Sequence, residues 1–233
     1  MNHMSGKSSV TQTVARRLQE MIKSGELSKD EKIPSQRILS EQLQVSRASL
    51  REALLTLETL GLVRTLPARG TFVTGTEVST DAGQQSWRFD GQFTISDVFQ
   101  SRLLIETELC RLAAPHITDV IADRLHRATQ QFEDAWTAGD LVTHVEADLT
   151  FHGLIMEACP NAMLRQLYQS VRDKMTESQR VPIPNTAVAR MSGSISEHRA
   201  ILEALRQHNP AQAAAAMAAH IRNTAACAGV SLG

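Results

Sequence analysis

The alternation of apolar and polar positions divides the chain into a short head and a long body. Val10, Val14, Leu18, Met21 and Ile22 lie on one stripe at helical spacing, which predicts a helix from Val10 to Ser24, closed by Gly25. A polar stretch, SGELSKDEKIPS, follows. Ser35, just after Pro34, is a plausible N-cap for a second helix reaching Leu43. Gln44-Val45-Ser46 is too short for anything but a tight turn. A third helix, Arg47 to Leu60, follows with Leu50, Ala53, Leu54, Leu57 and Leu60 inward and Gly61 as its stop. LVRTL and TFVTG, around Pro67-Ala68-Arg69-Gly70, read as a β-hairpin.

Residues 76–93 lack periodicity and read as a linker. From Thr94 onward the pattern is helical, with helices expected at 95–117, 119–138, 140–159, 161–180, 186–207 and 210–228. The expected fold is therefore mostly α: a three-helix head with a small hairpin over 1–75, the linker, and an all-helical bundle of six or seven helices over 94–233.

Composition supports this architecture. The chain has 233 residues, 42% hydrophobic and 21% charged, enough to bury a core. Aromatics are only 4%, which disfavours a β-sandwich. No apolar run approaches the ~20 residues needed to cross a bilayer, and the first residues, MNHMSGKSSV, lack the apolar core of a signal peptide. Cys110, Cys159 and Cys227 form no CxxC pair and read as reduced thiols, so a cytoplasmic protein without membrane association is expected. The net charge of −1 hides an asymmetry. Residues 1–75 carry 11 Lys/Arg against 7 Asp/Glu, and the remainder 13 against 18. A basic head on an acidic body suits a polyanion-binding module joined to something else.

Two helices joined by a three-residue turn form a helix-turn-helix, whose second helix lies in the DNA major groove. That helix opens Ser46-Arg47-Ala48-Ser49-Leu50-Arg51. Arg47 and Arg51, four apart, share one face, and their planar forks suit guanine edges or phosphates. Arg37 offers a further contact, and Arg69-Gly70 at the hairpin tip could reach a neighbouring groove or phosphate. The bland alternatives are solubilising arginines and a Ser46 that only caps its helix. The run IPSQRILSEQLQVSRASLREALLTLETLGLV followed by ARGTFV closely resembles the winged helix-turn-helix of the GntR family of bacterial transcription regulators. The resemblance implies DNA contacts from Arg37, Ser46, Arg47, Ser49, Arg51, Arg69 and Gly70.

In the body, polar groups interrupt apolar stripes. Asp148 and His152 sit one turn apart on the stripe Leu141, Val145, Leu149, Ile155, Met156. His198 interrupts Met191, Ile195, Ile201, Leu205, and His220 lies beside Met217 and Ile221. A lone buried carboxylate is costly unless paired. One carboxylate and three imidazoles on three inward faces fit a divalent transition-metal site with open positions, zinc first, with nickel and manganese also compatible. Hydrogen-bonded core histidines and an Asp148–His152 ion pair are the alternatives. His3, His116, His126, His144 and His208 lack such placement and are expected at the surface or at boundaries. Arg102 falls in the middle of the stripe Ile95, Val98, Phe99, Ile105, Leu109, Leu112 and needs an anionic partner, either Glu106 four residues on or a ligand carboxylate.

SRLLIETELCRLAA, EADLTFHGLIMEACPNAML, SEHRAILEAL and AAAAMAAHIRN, in that order, resemble the FCD effector domain of the FadR subgroup of GntR regulators. That resemblance implies a metal at Asp148, His152, His198 and His220, an effector carboxylate at Arg102, and a contribution from Asn161 near the pocket. The expected protein is a ligand-responsive DNA-binding regulator, a repressor, and no enzyme. It would bind a pseudo-palindromic operator as a homodimer and take a small carboxylate effector. Two alternatives stay open: a regulator for which the metal itself is the effector, and a metal-dependent hydrolase.

Overall fold

A computed structural model describes residues 10–66, 68–74, 87, 89, 91–183 and 186–232. The chain divides into two compact units, Met1–Gly83 and Gln84–Gly233. The linker expected at 76–93 falls mainly outside the described residues.

The first unit contains α1 (Val10–Lys23), α2 (Gln36–Gln42), α3 (Arg47–Thr59), β1 (Val63–Leu66) and β2 (Gly70–Val73). Each start reflects local chemistry. The Ser35 hydroxyl caps α2 by accepting from Ile38 N, and Ser46 caps α3 by accepting from Ser49 N. Gln44, at φ +54°, makes the tight turn between α2 and α3. Gly61, at φ +73°, releases the chain from α3 into β1. The strands pair antiparallel, with Val63 opposite Val73 and Leu66 opposite Gly70. The segment before α2 adds a short third edge, where Ile33 N donates to Thr71 O at 2.8 Å and Val73 N to Glu31 O at 3.0 Å. Gly70 is required there: its φ is +110°, and a Cβ would meet Lys32 Cε at 2.7 Å. Val14, Leu18, Leu39, Leu50, Leu57 and Val73 are among the residues that fill the core.

The second unit contains α4 (Ile95–Ala113), a 3₁₀ turn (Ala114–His116), α5 (Asp119–Thr137), α6 (Leu141–Ala158), α7 (Ala162–Ser170), α8 (Arg172–Arg180), α9 (Val188–Arg206) and α10 (Pro210–Cys227). Thr94 and Asp97 form a reciprocal capping box at the start of α4. Thr118, Asp140, Asn161 and Asn209 cap α5, α6, α7 and α10. α4 packs on α6 and α10, α5 on α6 and α9, and α9 on α10, around a core that includes Phe99, Leu109, Leu125, Phe151, Ile155, Met217 and Ile221.

Two expectations change here. The single helix expected at 161–180 is two, broken at Val171, whose backbone (φ −111°, ψ 8°) leaves the helical range; the described bundle therefore has seven α-helices. The helix expected at 95–117 ends at Ala113, where Pro115 follows within a tighter 3₁₀ turn. The second unit also begins before Thr94. The Trp87 indole N–H donates to Phe93 O at 2.5 Å, and Lys174 Nζ lies 5.4 Å from the Phe89 ring centre and 5.8 Å from that of Phe93. Among the described residues, no helix is long and apolar enough to cross a membrane.

Candidate functional site

The first unit presents its basic residues outward. Arg47 and Arg51, at the start of α3, are exposed, while Leu50 and Leu54 on the same helix are buried. Arg37 is exposed and held by Glu41 at 3.1 Å. Ser46 is both the helix cap and a hydroxyl partner of Ser49, 2.9 Å away. Arg69 stands over the Phe72 ring at 5.9 Å beside Gly70, at the hairpin tip. An exposed positive helix start beside an exposed hairpin arginine has the form of a winged DNA-reading head.

In the second unit, α6, α9 and α10 bring Asp148, His152, His198 and His220 together. One donor atom from each lies within 4.8 Å of the others. That spacing would let all four side chains hold one ion. The three histidine side chains are almost wholly buried.

Each imidazole has its Nδ1 against an oxygen. His152 Nδ1 lies 2.5 Å from Glu106 Oε2, His198 Nδ1 2.9 Å from Ser194 O, and His220 Nδ1 3.0 Å from Glu197 Oε2. An Nδ1–H donating to an acceptor leaves Nε2 with its lone pair, the tautomer a metal needs. His198 Nε2 also faces Asp148 Oδ1 at 2.9 Å, a contact that needs a proton or a cation between the two atoms. His152 Nε2 is buried without a hydrogen-bond partner, 3.7 Å from Asp148 Oδ1. These observations fit a divalent cation held by the four side chains.

Electrostatics point the same way. Burial opposes ionisation of Asp148, but the neighbouring His152 first and the His198 hydrogen bond second outweigh it and hold the carboxyl well below the usual carboxylate range. Burial pushes His220 down to about 4, against the opposing pull of Glu197, so its ring is neutral near pH 7.

Arg102 is fully buried. Its Nε donates to Glu106 Oε1 at 2.7 Å, so the internal ion pair among the sequence alternatives exists. Burial disfavours the Glu106 carboxylate, yet Arg102 first and His152 second bring it down to about 2. Glu106 thus stands between the arginine and His152. One guanidinium nitrogen, Arg102 Nη2, remains buried without a partner, and Arg102 lines a cavity together with Asp148 and His220. That cavity has about 30 Å³ of free space, on the order of one or two waters. A small acid exceeds this space and enters only if lining side chains yield.

Three findings depart from the sequence reading. Asn161 is exposed, and its Oδ1 accepts from Met163 N and Leu164 N at 3.1 Å each; it caps α7 and is not brought to the cavity. His144, expected at the surface, is fully buried, with Nδ1 2.8 Å from Phe132 O and its ring stacked on Phe132 at 3.8 Å. Its place one turn before Asp148, on the same face, was the available signal. Glu197 was not singled out, although it holds His220, Arg190 (2.9 Å) and Asn223 (2.7 Å).

A DNA-reading head joined to a helical bundle with a buried ligand site defines a ligand-responsive transcription regulator. Residues 10–73 match the model of bacterial regulatory proteins of the gntR family, and residues 97–223 match the FCD domain. The chain belongs to the GntR family of bacterial regulators and carries an FCD domain. It is 31% identical over 210 residues to the HTH-type transcriptional regulator LutR of Bacillus subtilis, covering 87% of this chain and 94% of that one. It is 26% identical over 221 residues to the HTH-type transcriptional repressor NanR of Escherichia coli, covering 93% and 83%. The solved structure of E. coli McbR/YncC shares the fold, with a TM-score of 0.54 and 19% identity over 94% of this chain and 97% of that one. LutR and NanR carry the names of a transcriptional regulator and a transcriptional repressor, and the family matched is one of regulators, not enzymes, which removes the hydrolase alternative.

Proposed function

We propose that the second unit holds a divalent transition metal on Asp148, His152, His198 and His220 and binds a small carboxylate beside it. Binding of that acid would alter the grip of the first unit on an operator. Zinc suits the donor set, as do nickel and manganese. Such a metal would supply a Lewis-acidic centre for an acid oxygen. Arg102 Nη2 is the observation that carries the reading: a buried, permanently charged donor with no partner, on the same cavity wall as two metal-ligand residues. An incoming carboxylate satisfies it.

In the first unit, Arg47, Arg51 and Ser49 would face bases and phosphates from α3, with Ser46 at its cap, Arg37 on the preceding helix and Arg69-Gly70 at the wing. One head reads one half-site, so a pseudo-palindromic operator calls for a homodimer. We place the protein in the cytoplasm, acting as a repressor. The acid changes operator affinity only as far as it prefers one arrangement of the protein, and a coupling of ~1–3 kcal/mol gives a switch of about 5–150-fold.

The test is elemental analysis of protein purified without chelator, followed by fluorescence-anisotropy titration of operator DNA. The titration is run with apo protein, with metal alone and with metal plus small acids. Near-stoichiometric metal and an acid-dependent change in affinity support the proposal. A full response to metal alone favours the metal-responsive alternative, and metal-free protein that responds to nothing refutes both.

A further inference from the structure

The extended segments of the first unit turn their side chains alternately to two faces. Val63, Val73 and Ile33 are buried on the inner one. On the outer face Arg64 stands directly opposite Phe72, and Lys32 stands opposite the same Phe72 from the other side. Directly paired residues share a face, so the order across the sheet is Arg64, Phe72, Lys32. Arg69 joins them, its guanidinium 5.9 Å from the centre of the Phe72 ring. The Lys32 side chain runs toward the hairpin tip: its Cε takes the space that a Cβ on Gly70 would need, with Nζ 3.4 Å from that point. Gly70 therefore leaves room for an ammonium group at the tip of the wing.

Lys32, Arg64 and Arg69 are exposed. Among the described residues, none of the three is paired with a carboxylate. The acids nearest in sequence are engaged elsewhere: Glu31 Oε2 accepts from Ser28 N at 2.8 Å, and Glu58 Oε1 from Thr65 N at 2.6 Å. Arg37 and Arg51, by contrast, each have a glutamate beside them, Glu41 at 3.1 Å and Glu52 at 3.7 Å. Three like charges without a counter-charge favour a polyanion. Two strand spacings, ~10 Å, separate the Arg64 and Lys32 backbones, a spread that suits a run of phosphates rather than one small anion. We propose that the outer face of the wing is a phosphate-binding surface, in which Lys32 and Arg64 contact the DNA backbone and supply affinity without reading sequence. Base reading stays with α3. The inference needs the DNA binding of the family and neither the metal nor the acid.

The test uses the full-length protein and two duplexes: one enriched from a random-sequence pool on the wild type, and one of equal length and composition with scrambled order. Binding is followed by fluorescence anisotropy between about 50 and about 200 mM salt. Lys32→Met and Arg64→Met keep an apolar stem beside Phe72 and remove the charge. Each is expected to flatten log K against log salt by about 0.9 per head bound. Each should also weaken both duplexes by the same factor, leaving their ratio unchanged. Lys32→Arg and Arg64→Lys should keep the wild-type slope. A wild-type slope in either neutral variant overturns the shared surface and leaves that cation as a guard of the sheet edge. A loss confined to the enriched duplex overturns it too, because that is base reading. A loss of equal size in the charge-keeping variants marks a structural role and overturns it as well.

Discussion

Glu106→Gln separates the metal reading from a purely structural one. Glu106 bonds Arg102 Nε through Oε1 at 2.7 Å and His152 Nδ1 through Oε2 at 2.5 Å. Glutamine keeps the shape. Its oxygen can serve Arg102, but its amide hydrogens then face the Nδ1–H of His152. Two donors in contact force the imidazole to move its proton to Nε2, the nitrogen aimed at the metal position. The guanidinium also loses its counter-charge in a fully buried place, which costs about 3 kcal/mol. With ~2–4 °C of melting temperature per kcal/mol for a unit of this size, the apo protein should melt roughly 6–12 °C lower. Loss of such an outer partner weakens a metal site about 10–100-fold. A thirtyfold loss removes about 2 kcal/mol of the stabilisation that saturating zinc confers. The assay is thermal unfolding followed by circular dichroism, apo and with excess zinc, together with zinc competition against a chelating dye. If the variant melts lower but its zinc affinity and zinc-induced shift equal those of the wild type, Glu106 serves only Arg102 and the argument through His152 is wrong.

Three further outcomes follow from the same geometry. Arg47→Ala and Arg51→Ala should each weaken operator binding by about 1–3 kcal/mol if they bond guanine; if they bond phosphate, the salt dependence of log K should flatten by roughly one unit. Unchanged binding in both would remove α3 from the DNA. His144 is pushed down to about 4, by burial first, with its bond to the Phe132 carbonyl opposing. The unfolded chain therefore binds the extra proton between pH ~6.5 and ~4, so stability from this residue is intact above that window and declines by about 3 kcal/mol through it. Urea midpoints at pH 7.5, 5.5 and 4.5 should converge between wild type and His144→Gln as pH falls, and parallel curves would refute the assignment. Burial first, and Glu106 second, raise the Cys110 thiol to about 12, whereas Cys227 is only half-buried. Iodoacetamide at pH 8 should label Cys227 in the native protein and reach Cys110 only on denaturation, as mass spectrometry of the labelled peptides can check.

The head was legible because its determinants are local. Ser35 and Ser46 cap helices in the turns they occupy, Gly61 stops α3 at positive φ, and the leucine spacing chooses the inward face; each acts over four residues or fewer. The buried Asp/His cluster was legible for a related reason. Asp148, His152 and His198 each break an apolar stripe, and a polar group on a buried face announces itself within one helix. His144 broke the same stripe one turn earlier, a local signal that passed unread, while its stacking on Phe132 is a contact between α5 and α6 that only the packing shows. The break at Val171 escaped as well, because no Gly or Pro marks it.

Sequence by itself determined the helices, the caps, the outward arginines and the polar residues that must be buried. Only the tertiary structure decided their partners: that Glu106 serves both Arg102 and His152, that Glu197 holds His220, that Asn161 spends its side chain on a cap, and that Gln179 and Arg102 share a cavity with unmet hydrogen bonds. Periodicity reports which face of a helix turns inward, because that depends on neighbours along the chain. Which atoms meet there depends on how α4, α6, α8, α9 and α10 pack across as many as 103 residues of sequence, as between Cys110 and Ala213, and no local pattern encodes that distance.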